Sequence, residues 1–239
     1  MTNTDFENRI FAIDVSTLED AVVFDAYLQT VRPDRRERIE KMRFDSGKRL
    51  CLGAGIVTER ALSYAGCEDS EIVITPAGKP TAEGCFFNVS HTGEIAVCAV
   101  SDREVGIDIE RPRKLSDAVI DRAFTPHEIR MAGGDTDRFI RLWTIKESVM
   151  KWYGLGLGLM PEHIDISMEK DISIDKSTDF SGDGIADNSI RVTITDHPGL
   201  AEKAAGLRFS TYRHDDYRIT VCSEYKKFAE SISWINPAL

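Results

Sequence analysis

The sequence predicts an α+β fold built from two halves of similar size. Three observations carry this. Short apolar or alternating runs have strand character, amphipathic stretches with helical spacing lie between them, and the strand–helix cycle starts afresh after Asp102 to Gly106. The halves are residues 1–104 and 105–239. A chain of 239 residues can support one large domain or two small ones, each with its own core.

The first half opens with an apolar strand, Ile10 to Val15, and a helix from about Thr17 to Thr30. Pro33-Asp34 is a helix start, leading into two helical segments broken near Ser46-Gly47 and running on to Tyr64. Glu71 to Ile74 has strand character and precedes the turn Pro76-Ala77-Gly78-Lys79-Pro80. Cys85 to Val89 and Glu94 to Val100 are strands flanking the polar link Ser90-His91-Thr92-Gly93.

The second half begins with the strand Val105 to Glu110, stopped by Arg111-Pro112. Ser116 to Ala123 and Pro126 to Ala132 are helical, as is the longer stretch Asp137 to Trp152, which the glycines of Gly154-Leu155-Gly156-Leu157-Gly158 end. Strand patterns follow at Ile164 to Ser167, Ser189 to Thr195, Ala205 to Tyr212 and Tyr217 to Ser223. Asp179 to Asn188, rich in Gly, Asp and Ser, is a loop.

Composition narrows the function. The hydrophobic fraction is 42% and the charged fraction 29%, ordinary for a soluble globular protein. A net charge of −10 argues against nucleic acid and anionic membranes as partners. No apolar run is long enough to cross a bilayer, and MTNTDFENRI lacks the basic start and apolar stretch of a signal peptide, so a cytoplasmic location is expected. Five scattered cysteines without a CxxC pair predict reduced thiols rather than disulfides or zinc. Positive charge gathers between Arg32 and Arg49, interleaved with Asp34, Glu37, Glu40 and Asp45. A solvated helix with i,i+4 pairs accounts for that run, and a local anion site is the other reading.

Three constellations have chemical content. In Gly106-Ile107-Asp108-Ile109-Glu110, strand alternation places Asp108 and Glu110 on one face with the isoleucines on the other. Paired carboxylates suit a hard divalent cation, although an edge strand with a solvated acidic face has the same pattern. In Trp143-Thr144-Ile145-Lys146-Glu147-Ser148-Val149-Met150-Lys151, the residues Trp143, Glu147 and Lys151 fall on one helical stripe. That stripe can hold metal and phosphate side by side, or can be an ion pair beside a core tryptophan. In Phe87-Asn88-Val89-Ser90-His91, hydroxyl, imidazole and amide groups suit phosphate oxygens, while Asn88 and Ser90 capping their own backbone is the plainer alternative.

In this order and spacing FNVSH, GIDIE and WTIKESVMK resemble the motif set of the 4'-phosphopantetheinyl transferase superfamily, in particular its two-half, surfactin-synthetase-activating type. Thr75 to Pro80 is similar to the family's loop before the NxSH strand. Ala123-Phe124-Thr125-Pro126-His127-Glu128 is similar to its F-x-x-x-E segment, and Glu37-Arg38-Ile39 with Phe44 and Arg49 to its basic CoA segment. The likeness spans roughly residues 35 to 160. The gap between Phe44 and Arg49 is shorter than the family's pattern.

The resemblance implies two α+β subdomains in a pseudo-twofold arrangement with the active site between them, working as a monomer. It implies transfer of 4'-phosphopantetheine from coenzyme A to a serine of an apo acyl or peptidyl carrier protein, releasing 3',5'-ADP. Asp108, Glu110 and Glu147 would hold Mg²⁺, with Mn²⁺ the alternative, against the CoA diphosphate. Lys151 would contact that diphosphate. Ser90, His91, Gly78 and Lys79 would hold phosphates and adenine, with Arg38 and Arg49 on the 3'-phosphate. Glu147 would activate the carrier serine, and Glu128 would position Lys151. Trp152 to Met160 is a candidate docking face for the carrier. Two rival functions stand beside this: a non-catalytic CoA- or carrier-binding module of the same fold, and a Mg²⁺-dependent phosphohydrolase.

Overall fold

The computed structural model describes residues 7–154, 158–168, 185–187, 189–195, 197–224 and 231–237. The chain runs through β1 (Arg9–Asp14), α1 (Ala21–Leu28), α2 (Pro33–Glu40), α3 (Asp45–Tyr64), β2 (Val73–Ile74), β3 (Pro80–Thr81), β4 (Phe86–Thr92), β5 (Ile95–Ser101) and β6 (Val105–Glu110). It continues through α4 (Asp117–Ala123), α5 (Pro126–Ala132), α6 (Thr136–Tyr153), β7 (Ile164–Met168), β8 (Ile185–Ala186), β9 (Ile190–Ile194), α7 (Pro198–Ala204), β10 (Arg208–His214), β11 (Tyr217–Ser223) and β12 (Ser233–Ile235). Mixed helix and strand content makes this the α+β class.

Two four-stranded sheets organise the molecule, ordered β12-β1-β5-β4 and β6-β11-β10-β8, with small two-stranded pairs β2-β3 and β7-β9 beside them. All neighbours are antiparallel except β12, which returns from the end of the chain to run parallel to β1. Antiparallel strands bury alternate side chains, and three cores follow. Phe11, Ile13, Phe87 and Cys98 of the first sheet pack with Leu52, Ile56 and Leu62 of α3. Leu142, Ile145 and Val149 of α6 pack with Phe209 and Cys222 of the second sheet. Between the sheets, Ile10, Ala12, Ile95 and Val97 meet Ile107, Ile109, Ile219 and Val221. The layers are helix, sheet, sheet, helix.

Several boundaries differ from the sequence expectation, each for a local reason. The expected helix from Thr17 to Thr30 is a 3₁₀ turn over Val15–Glu19 followed by α1, because the Asp20 carboxylate accepts from Val22 N at 2.8 Å and Val23 N at 3.2 Å and starts a new helix. The break expected at Ser46-Gly47 lies earlier, between Glu40 and Asp45. The link Ser90 to Gly93 is strand as far as Thr92. Ala205 is not strand but the C-cap of an unexpected helix, α7, which has Pro198 in its first turn. Strand β12 was too short to read. The glycine-rich stop holds at Gly154, a left-handed C-cap at φ 73°, while 155–157 lie outside the described residues. So do 179–184 and 188 of the expected loop, and Ile185–Ala186 within it pair with β10. All five cysteines are free and buried thiols. Among the described residues no helix is long and apolar enough to cross a membrane.

Candidate active site

The edge strand of each sheet meets the other across a seam without a backbone ladder, since β4 and β6 belong to different sheets. An edge exposes unpaired N–H groups, and burying them unpaired costs about as much as a lost hydrogen bond. Alternation solves this. Phe87 and Val89 point toward α3, while Asn88, Ser90 and Thr92 point at β6. Asn88 Oδ1 accepts from Ile107 N at 3.0 Å. Ser90 Oγ accepts from Ile109 N at 3.4 Å and donates to Asp108 Oδ1 at 2.9 Å. Thr92 Oγ1 donates to Glu110 Oε2 at 3.4 Å. Three polar side chains thus stitch two sheets together and orient both acids of β6. Asn88 and Ser90 cap a neighbouring strand's backbone rather than their own.

On the other side, β6 presses against α6. A Cβ at Gly106 would collide with the Ser148 carbonyl oxygen and the Trp152 amide nitrogen, both backbone atoms that cannot swing away. Only glycine permits this approach, and it brings Asp108 beside the Glu147–Lys151 stripe. Lys151 Nζ donates to Asp108 Oδ1 at 2.6 Å and to Ser90 Oγ at 2.8 Å. Asp108 is 4% exposed, and its Oδ2 is buried without a hydrogen-bond partner.

The electrostatics are those of an acid cluster short of positive charge. Burial, then the Asp108 carboxylate, and to a lesser degree Glu110, push Glu147 up to about 7, against the pull of Lys151. Glu110 is raised by burial and then by Asp108, while Arg113 opposes this at 3.1 Å. Asp108 is also raised: desolvation outweighs Lys151 and Ser90. Among the described residues, no three metal-ligating side chains converge into a preformed cage. Glu110 is turned toward Arg113 and Asp108 toward Lys151. The three acids expected to share a cation, Asp108, Glu110 and Glu147, are electrically coupled but form no finished coordination shell. Even so, the donors fit a hard divalent cation: all are carboxylate oxygens, one is buried and orphaned, and their mutual repulsion is what such an ion relieves.

The remaining expected residues fall into two groups. His91 is held below its ordinary value by desolvation, then by Lys151, with Arg35 and Arg38 adding to this. The imidazole therefore feels the positive charges of Lys151 and of Arg35 and Arg38 on α2. Arg38 is exposed. Arg49 instead pairs with Glu19 at 3.3 Å. Lys79 is committed too, donating to Glu104 Oε2 at 2.6 Å and to the Trp152 carbonyl at 2.8 Å, which ties the Gly78 turn to the end of α6. Glu128 does not reach Lys151. It is fully buried against Lys146 at 2.6 Å, accepts from Ile166 N at 2.9 Å, and closes the capping box of α5 with Thr125.

Beside Glu147 and Lys151 opens a cleft of ≈ 820 Å³ walled by Gly78 to Pro80 and Val89 on one side and by α4, Trp143, Met150 and Leu159 to Pro161 on the other. The candidate docking stretch Trp152 to Met160 contributes Gly154, Leu159 and Met160 to it, and 155–157 lie outside the described residues. The sequence reading did not single out Asn88's bond across the seam, Thr92, Arg35, Lys146 or the packing role of Gly106. Alternation along β4 was the available signal for Thr92.

Comparison with known proteins agrees with this geometry. Residues 104–222 match the model of the 4'-phosphopantetheinyl transferase superfamily. The chain is 24% identical over 224 residues to 4'-phosphopantetheinyl transferase Sfp of Bacillus subtilis (strain 168), covering 88% of this chain and 89% of that protein. It is 31% identical over 156 residues to 4'-phosphopantetheinyl transferase HetI of Nostoc sp., covering 58% of this chain and 65% of that protein. A second 4'-phosphopantetheinyl transferase of Bacillus subtilis is 28% identical over 158 residues, 62% of this chain and 70% of its own. The matched segment begins just before β6 and contains Asp108, Glu110, Glu147 and Lys151, the four groups whose charges meet at the seam. Residues 104–222, the segment that supplies β6 and α6 to the seam, belong to the 4'-phosphopantetheinyl transferase superfamily.

Proposed function

We propose that this protein transfers 4'-phosphopantetheine from coenzyme A to a serine hydroxyl of an apo carrier protein, releasing 3',5'-ADP. The observation that carries the site assignment is the meeting of Asp108, Glu147 and Lys151 where β6, α6 and the edge of β4 converge. Asp108, Glu147 and, once freed from Arg113, Glu110 would hold Mg²⁺. Bound there, the ion supplies Lewis-acid neutralisation of the diphosphate and of the charge that develops during displacement. The Lys151 ammonium stabilises the departing 3',5'-ADP oxygen, and Ser90 keeps that ammonium oriented. His91, Arg38 and Arg35 hold the remaining phosphates. Glu147, with an affinity for protons near neutrality, accepts the proton of the attacking serine directly or through one water. The cleft receives the pantetheine arm and the approaching carrier, whose serine attacks the β-phosphorus in line. Lys79 and Gly78 shape the cleft wall, and Arg49 would reach the 3'-phosphate only on leaving Glu19.

The same reading relates the halves 1–104 and 105–239 by a pseudo-twofold axis. Each has a sheet and one long helix, and β12 crosses back as a strap. A chain that supplies both halves works as a monomer. The test is incubation with CoA, MgCl₂ and a panel of apo-carriers, followed by intact mass. The expected result is one phosphopantetheine adduct per carrier. CoA cleavage with no carrier present would instead mark a phosphohydrolase, and CoA binding without either outcome a non-catalytic module.

A further inference from the structure

Among the described residues Lys146 is one of the largest fully buried side chains, yet it ends in a charge. It sits on α6 between Trp143 and Met150, directly beneath the floor of the cleft. Its ammonium has three protons and three oxygen partners on three different segments. They are Glu128 Oε2 at 2.6 Å on α5, the Ala123 carbonyl at 2.7 Å at the end of α4, and the Pro161 carbonyl at 3.0 Å. The Phe124 ring lies 5.3 Å from the same nitrogen. Ala123 and Pro161 lie side by side on the bank of the cleft that faces Gly78 to Pro80, and Glu147, the next residue on the helix, lines the cleft as well.

An apolar side chain of similar volume would fill this space, and replacing a buried ion pair in that way is often neutral or stabilising. What it cannot supply is direction. Only a donor with several N–H groups fixes two backbone carbonyls relative to each other and to the helix beneath them. We propose that Lys146 is a positioning residue, a strut that locks α4 and the Met160–Pro161 segment together as one bank of the cleft and fixes that bank on α6, and so the path by which the pantetheine arm and the acceptor serine reach Glu147. Glu128, through its bond to Ile166 N, anchors the strut to β7. The inference rests on the phosphopantetheinyl-transfer reading for its kinetic consequence, but not for its structural one.

The experiment uses the full chain with Lys146→Met and Glu128→Gln combined, so that no buried charge is left uncompensated. Hydrogen exchange followed by mass spectrometry should show faster exchange across Asp117–Ala123 and 158–161, with β5 and β6 unchanged. Unchanged exchange in both segments overturns the proposal whether or not the wild-type protein transfers anything. Steady-state transfer should lose about tenfold to a hundredfold in kcat/KM for the apo-carrier while KM for CoA stays within about twofold, because the phosphate contacts lie elsewhere. A wild-type carrier kcat/KM in a folded double variant overturns it as well. If the double variant does not fold, Glu128→Gln alone decides. Its amide oxygen still accepts from Lys146, both carbonyl bonds remain, and carrier kcat/KM should hold within about threefold despite a lower Tm. Loss of carrier kcat/KM beyond about tenfold there contradicts the strut.

Discussion

Two carboxylates lie buried on opposite sides of α6, and their surroundings differ in kind. Glu128 is fully covered, and each of its oxygens has a partner: Lys146 and Thr125 N for one, Ile166 N for the other. Asp108 is nearly as covered, but its second oxygen has none, and Glu147 and Glu110 add repulsion to it. A closed shell makes a carboxylate part of the fold. An open one, held in place by Ser90 and Lys151 yet incompletely paired, leaves it available for chemistry.

The largest way to sharpen that contrast is to neutralise each acid in turn. Asp108→Asn and Glu147→Gln should lower transfer about 10³-fold, through loss of a charged group at the reacting centre. Their Tm should be unchanged or raised, because each removes a share of the repulsion. Glu128→Gln should do the reverse: a loss of about 3 kcal/mol, because Lys146 is left as an unbalanced buried charge, with transfer largely kept by the folded fraction. Thermal melts and transfer rates on the three variants check this together. Transfer at the wild-type rate by Asp108→Asn would erase the distinction.

A second prediction strikes the packing that brings the open acid to its place. Gly106→Ala should cost about 3 kcal/mol or more and depress transfer in whatever remains folded, since the colliding atoms are main chain. Denaturant melts measure the first part. A variant as stable as wild type would mean that β6 and α6 are not in this contact.

These two tests also show what was legible in advance. Alternation alone put Asp108 and Glu110 on one face, and helical spacing put Trp143, Glu147 and Lys151 on one stripe. The α+β class and most element positions followed from the same two periods. What the chain order could not convey was pairing across distance. Nothing local says that Asn88 and Ser90 serve a strand of the other sheet, or that Glu128 meets Lys146 and not Lys151. Lys79 and Arg49 likewise looked like free cations, and tertiary neighbours Glu104 and Glu19 claim them. The three-residue β12 is held by its partner β1, not by its own propensity.

A smaller effect concerns pH. Glu147 has a folded value of about 7 against an ordinary 4.5, so the metal-free folded state holds a proton there that the unfolded chain has released. Metal-free stability should therefore fall as pH rises from about 4.5 to about 7, with Glu147→Gln flattening that slope. Divalent-cation affinity should run the opposite way and weaken as pH drops below about 7, because the proton competes for the ligand. Calorimetric titration with Mg²⁺ at several pH values checks the second part, and an affinity independent of pH would remove Glu147 from the cation site.

The smallest effect serves as a control. Glu37 and Lys41 form an ion pair at 2.6 Å with side chains 66% and 71% exposed. Replacing both with alanine should change stability by less than about 0.5 kcal/mol and leave transfer unchanged, in contrast to the pair under the cleft.

The most direct test of the open acid cluster is a transfer assay on wild type and Asp108→Asn, with Mg²⁺ present or chelated, read as the mass of the carrier. Modified carrier is expected from wild type with Mg²⁺, and only unmodified carrier from the variant or after chelation. Equal modification with the cation removed would contradict this.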